Sequence, residues 1–373
     1  MPGPCARSWV EVSRSRIVAN YNAIRTVVGS AAVMGVVKAD AYGHGMAEVA
    51  DILEGAGIRW LAVSSVSEGV ALREAGSRAR ILIMAGFLPD ECEALTAYDL
   101  TPAIHSLDDA RVLAESAPHR PWHLKVDTGL ARLGVRNGLE GVLAALPRPP
   151  EGLMTHLASP SDLGSLQTVH QLEAFAQATQ RCEAMGIRPP WRHTASTNAI
   201  AYPRSPEWRR AAWHNLVRPG HALYGYVSPA RPAPAAPVLR VAPALQWKAR
   251  ILAVKDIPEG APVGYGATFH ASHPMRLGVV AAGYADGLPH QLSNRGRMIA
   301  GDRLVPIVGT VSMDLTTIDL TAVPQVGVGD AVMILGDNGG VALDAQQVAR
   351  LAGTISYDLL CGIGPRVKRI YVD

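Results

Sequence analysis

Cysteine is scarce in this chain: the 373 residues hold four, Cys5, Cys92, Cys182 and Cys361, with no CxxC spacing among them. Thiols scattered this way exclude a disulfide framework and a cysteine-built zinc site, and they suit a reducing compartment. No metal is expected. Charge is sparse as well, at 18% of residues, and the net charge of +3 is too small to imply a nucleic-acid partner, although it leaves room for anionic ligands. No apolar run is long enough to cross a bilayer, and Met1–Ser8 lacks the apolar core of a signal peptide. The expectation is a cytoplasmic protein without a membrane partner. With 48% apolar residues the chain can bury a large core, as two to three domains or as one barrel with a second domain.

The most informative stretch runs from Ala32 to Gly45, AVMGVVKADAYGHG. Its valine-rich start reads as a strand buried on both faces, and the strand stops at Lys38 and a glycine-flanked turn. Most lysines just past a strand are solvated surface charges. This one leaves an interior strand directly, with Tyr42 four residues on and with Gly43 and Gly45 permitting close backbone approach to a ligand. A desolvated lysine amine can form a Schiff base with an aldehyde cofactor.

Apolar runs then alternate with segments that can hold helices: Trp60–Val63, Ile81–Met84, Leu100–Ile104, Trp122–Val126, Gly152–Thr155, Trp191–His193 and Asn215–Val217. With the Lys38 strand these make eight candidate strands, the last two weakly marked, and the pattern predicts a (β/α)8 barrel. Lys38, Asp127, His156, Ser196 with Thr197, and Arg218 all fall at or just past a strand's carboxyl end, which in a barrel is one mouth. The proline-rich tract Pro229–Pro237 reads as a stiff linker. Beyond it, short runs such as Leu245–Val254, Met275–Ala282, Leu304–Val311 and Ala331–Leu335 are closely punctuated by Gly, Pro and Asp, which predicts a β domain. The expected division is a barrel over 13–230 and a β domain over 231–373 together with 1–12.

Several segments resemble one family in the order in which that family carries them: KADAYGHG at Lys38, KVDTGLARLG at Lys125, MTHL at His156, LVRPGHALYG at Arg218, VGYGAT at Tyr265, GYADG at Tyr284 and SMD at Met313. The chain is identified by them as resembling the alanine racemases, and the likeness covers nearly its whole length. The resemblance implies pyridoxal 5'-phosphate on Lys38. It places the phosphate against Tyr42, the Ser196-Thr197 turn, the backbone of Gly220 and His221, and Tyr357. It sets Arg218 opposite the pyridine nitrogen; a guanidinium donates there without surrendering its proton, which leaves the ring a weaker electron sink and suits a racemase better than a transaminase. Arg132 goes to the cofactor's phenolic oxygen and the substrate carboxylate, with Lys125 carbamylated to hold it.

Racemisation needs acid-base groups on both faces of Cα, each worth roughly 10²–10⁴-fold in rate. Lys38 is one. The resemblance makes Tyr265 the other, presented by the β domain of a partner subunit, so that a homodimer shares its active sites. A phenol with an ordinary pKa of ~10 is a poor base near pH 7, and His156 matches the histidine that hydrogen-bonds this tyrosine and links it to Arg218. Met313 meets the substrate carboxylate through its backbone, and Tyr284 lines the access corridor. The implied reaction is interconversion of L- and D-alanine by two-base proton transfer at Cα of the cofactor imine, supplying D-alanine for peptidoglycan. The chain departs from the family where Leu130-Ala131 replaces Met-Gly, Ser196-Thr197 replaces Asn-Ser, and Thr310 and His290 stand where arginines are common. The last two remove positive charge from the corridor and leave a broader amino-acid range open. The other readings are a cofactor-binding barrel without turnover, and a decarboxylase or aldolase of similar architecture.

Overall fold

A computed structural model describes residues 6–232 and 234–373, so Cys5, the start of the N-terminal stretch and Ala233 of the proline tract lie outside it. The chain divides into two compact units: Arg16–Ala41 with Met46–Ala242, and the residues up to Ser15 with Tyr42–Gly45 and Pro243–Asp373.

The first strand, β1 (Ser8–Ser13), belongs to the second unit; the first unit is the barrel. Its strands are β2 (Ala32–Val36), β3 (Trp60–Val63), β4 (Arg80–Ile83), β5 (Leu100–Ile104), β6 (His123–Lys125), β7 (Gly152–Met154), β8 (Trp191–His193) and β9 (Leu216–Val217). All eight are parallel, in the order β8-β7-β6-β5-β4-β3-β2-β9, and a single bridge between Ser196 and Arg218 nearly closes the ring. Every residue of β3, β5, β6 and β7 is buried, which is why β3 and β7 read as continuous apolar runs and not as alternations, while β6 carries the buried polar residues His123 and Lys125. Helices such as Val66–Glu74 and Gln167–Ala184 return the chain between strands. The former starts on the capping box that Ser65 and Glu68 signal in the sequence, each side chain bonding the other's backbone amide.

The proline tract does not separate the units. Arg231 and Val238 donate their backbone N–H groups to the carbonyls of Ser161 and Ala201 at 2.9 and 2.8 Å. Asn20 then pins Ala242 from both sides of its side-chain amide. These bonds hold the tract along the barrel unit, so the division falls after Ala242.

In the β unit the long strand β10 (Leu245–Ile257) pairs with β1, with Ala331–Asn338 and with Met275–Val280, and β1 also pairs in parallel with Lys368–Val372. Irregularities in register at Trp247/Lys248 and Ile251/Ala253 allow one strand to serve these neighbours. Among the described residues no helix is long and apolar enough to cross a membrane.

Candidate active site

Lys38, Lys125, His156, Thr197 and Arg218 follow or end β2, β6, β7, β8 and β9, so parallel strands carry them all to one end of the barrel. The chain after β2 turns in an unusual way. Ala39, Asp40, Ala41 and Tyr42 have φ of 53, 51, 53 and 55°, a left-handed turn made without glycine. Left-handed helical geometry costs roughly 1–2 kcal/mol per L-residue, so such a turn persists only where surrounding bonds impose it. Glu68 accepts from the Ala39 amide at 2.7 Å, Asp40 accepts from the Met46 amide at 2.8 Å, and Val37 accepts from Ala41 at 2.8 Å.

Arg218 is buried, and both of its terminal nitrogens are engaged. Its Nη1 donates to His193 Nδ1 at 2.6 Å and to the His193 carbonyl at 2.7 Å; its Nη2 donates to the carbonyls of Thr155 and Thr194 at 2.6 and 3.3 Å. The side chain that meets Arg218 is therefore that of His193, and the resemblance to the family, which pairs Arg218 with His156, did not single it out. Because a guanidinium can only donate, His193 Nδ1 is an acceptor and its proton sits on Nε2, which donates to His123 Nδ1 at 2.8 Å. Burial pushes both imidazoles down, His123 to about 3 and His193 well below its ordinary value, with the Arg218 charge adding to the effect. A neutral, tautomer-fixed pair thus orients the arginine. Room for it comes from Gly152 on β7, where a Cβ would lie 2.3 Å from His123 Nδ1. The sequence held a signal: His123 and Lys125 are spaced by two, as residues on one face of a strand are.

Burial lowers Arg218 to about 9, which still leaves it a cation at neutral pH. Lys125, also buried, is lowered to about 8, chiefly by desolvation and then by Arg218, Arg132 and Lys38. The same four cations, Arg218, Arg132, Lys125 and Lys38, act on His156, which burial and their charge push down to about 3. Asp127 opposes them only weakly, as the smallest of the influences on Lys125: it accepts from the amides of Gly129 and Ala131, both at 3.0 Å, and from Arg136, which fixes the loop that leads to Arg132. Ala131 sits there at φ 56°, a position the family's usual glycine adopts without strain. Lys38, Lys125, Arg132 and Arg218 therefore gather cationic groups around His156. Nearby, Thr197 Oγ1 accepts from the amides of Gly220 and Ala222 at 3.3 and 3.2 Å, which holds the hydroxyl beside His221 with its own proton to donate; Ser196 makes the bridge to Arg218. This donor set suits an anionic, phosphate-bearing cofactor.

The remaining candidates lie in the β unit. The Tyr42 ring stands 6.1 Å from that of Tyr357, and burial raises the Tyr42 pKa so that its hydroxyl keeps its proton for donation. Tyr265, Met313 and Tyr284 are 77, 53 and 46% exposed. Hydrogen bonds join the segments that carry them: Tyr284 and Ala285 donate to the carbonyls of Ser312 and Met313, both at 3.0 Å, and Thr310 Oγ1 donates to the Tyr265 carbonyl at 3.0 Å. His290 packs edge-on to Tyr284, their rings 6.3 Å apart.

Comparison with known proteins adds two family matches, the alanine racemase N-terminal domain over residues 12–229 and the alanine racemase C-terminal domain over residues 244–371. An alanine racemase of Sorangium cellulosum is 41% identical over 91% of this chain and 91% of that protein. One of Halothermothrix orenii is 36% identical over 98% of this chain and 96% of that protein. Among solved structures, the Bartonella henselae alanine racemase with covalently bound pyridoxal phosphate superposes with a TM-score of 0.84 at 28% identity, covering 98% of this chain and 100% of that one. The Bacillus anthracis alanine racemase with bound L-Ala-P gives 0.89 at 28%, covering 99 and 95%.

Proposed function

The chain belongs to the alanine racemase family, and from that premise we propose that it interconverts L- and D-alanine with pyridoxal phosphate as cofactor. The observation that carries the reading is the convergence of Lys38, Arg132 and Arg218, with Lys125, around His156 at one end of the barrel, an imine-forming amine in the company of guanidiniums that suit an anionic cofactor. Bound there, pyridoxal phosphate withdraws electrons from the substrate and acidifies its α-hydrogen.

Lys38 holds the cofactor and moves a proton on one face of Cα; Tyr265 does so on the other. Arg218, braced by His193, donates to the ring nitrogen and keeps its own proton. Thr197, Ser196, Gly220, His221, Tyr42 and Tyr357 hold the phosphate. Arg132 binds the phenolic oxygen and the substrate carboxylate, the Met313 backbone meets that carboxylate as well, His156 supports Tyr265, and Tyr284 lines the access corridor. Lys125 takes up carbon dioxide as a carbamate, releasing one proton. Its burial, which leaves more of the amine neutral, supports this, and labelled bicarbonate should give a carbamate signal that Lys125→Met abolishes.

The exposure of Tyr265, Met313 and Tyr284 supports a second copy of the chain as the surface that covers them, in a homodimer with shared sites. The few, scattered cysteines support a cytoplasmic setting, where D-alanine would feed peptidoglycan synthesis. A cofactor carrier without turnover is not favoured, because the match to the C-terminal domain spans residues 244–371.

The test is direct. Purified protein should take up pyridoxal phosphate, be trapped on Lys38 by borohydride, weigh as a pair of chains and racemise alanine faster than serine or larger amino acids. A protein that takes up no cofactor, or carries it on another lysine, would contradict the reading.

A further inference from the structure

Tyr265 stands on a turn that has little of its own to hold it. Gly264, Gly266 and Ala267 have φ of 75, 70 and 46°, and between the paired strands Pro262–Val263 and Phe269–His270 the turn itself carries one weak backbone bond, Ala267 N–H to the Gly264 carbonyl at 3.3 Å. A turn of this kind, bearing an exposed side chain, needs an outside support to aim it.

The support is a closed ring of side chains on the 309–310 segment. Thr310 Oγ1 donates to the Tyr265 carbonyl at 3.0 Å, so its pairing with Thr268 Oγ1 at 3.2 Å makes Thr268 the donor there. Thr268 Oγ1 in turn accepts from Asn294 Nδ2 at 3.0 Å, and Asn294 Oδ1 accepts from the Gly309 amide at 2.6 Å. Each hydroxyl proton is used once. The two segments also approach closely: a Cβ on Gly264 would lie 3.0 Å from the Thr310 nitrogen. An arginine at 310 has no acceptor for the Thr268 hydroxyl and could not close this ring.

We propose that Thr310 is a positioning residue for Tyr265, its hydroxyl fixing the tyrosine carbonyl and with it the direction in which the phenol leaves the turn. Thr310 thus serves the one base that Tyr265 supplies and not the base supplied by Lys38. The inference rests on the two-base reading above.

Deuterium wash-in at Cα of L-alanine and of D-alanine, followed separately in the holoenzyme, tests it. With Thr310→Val, wash-in from the L-enantiomer should slow about threefold to tenfold, the effect of one lost hydrogen bond, while wash-in from the D-enantiomer is unchanged. Thr310→Ala, which crowds nothing, should show the same asymmetry, and Thr310→Ser should restore the wild-type ratio. A merely structural role would lower both rates together. Equal slowing of both enantiomers, or of neither, overturns the proposal if Tyr265→Phe slows the L-enantiomer alone. If Tyr265→Phe shows no asymmetry, the two-base reading falls instead.

Discussion

His193 can orient Arg218 only while it is neutral, because a proton on Nδ1 would set two donors 2.6 Å apart. His123 keeps it so by accepting from Nε2, and burial holds both imidazoles far below the pKa of ~6.5 they have in an unfolded chain. The sign of the pH effect follows. Above about pH 6.5 neither state binds a proton and the pair contributes nothing; below it the unfolded chain binds protons that the folded chain refuses, so stability falls with pH down to about 3. Each such histidine should steepen the fall by up to about 1.4 kcal/mol per pH unit. His123→Asn, which retains an acceptor where Nδ1 stood, should therefore narrow the difference between urea midpoints at pH 5 and pH 7. An unchanged difference would show that His123 is not held neutral. Little of this pair was legible in the sequence. The spacing of His123 and Lys125 places both on one face of a strand, but the partnership with His193 reaches past the intervening β7 to a residue 70 positions away in the chain.

At the scale of elements, the left-handed turn after β2 links fold and site. Glu68 is the third residue of the helix Val66–Glu74 and the partner of Ser65 in its capping box, and its carboxylate also accepts from Ala39 at 2.7 Å and from Ser64 at 2.7 Å. One side chain thus starts a helix and holds the residue that follows Lys38 in a strained conformation. Glu68→Ala should lower stability by about 1.5–3 kcal/mol, the range for hydrogen bonds to a charged group, and should weaken cofactor retention on Lys38 as well. Urea unfolding and dialysis against cofactor-free buffer measure the two effects; a stability loss with unchanged cofactor retention would separate the turn from the site. The capping box and the strand before Lys38 were both legible, since each rests on local pattern. The left-handed turn was not, because only Gly43 and Gly45 announced positive φ, and the four residues before them adopt it through distant bonds. The strands β8 and β9, of three and two residues, gave weak signals for the same reason: strands so short are defined by their neighbours.

For the whole molecule, the barrel and the β unit were legible as classes, because buried parallel strands read as apolar runs and the β unit as short punctuated ones. The place where one gives way to the other was not: the prolines suggest a stiff linker at the boundary, whereas backbone bonds to Ser161 and Ala201 hold the tract along the barrel unit. Lys38 lies in one of these units and Tyr265 in the other. A racemase requires that division to be chemical as well, one base for each face of Cα. Deuterium wash-in with the Tyr265→Phe holoenzyme measures it most directly. The account predicts that D-alanine still exchanges its α-hydrogen through Lys38 while exchange from L-alanine is abolished. Equal exchange from both enantiomers would contradict it.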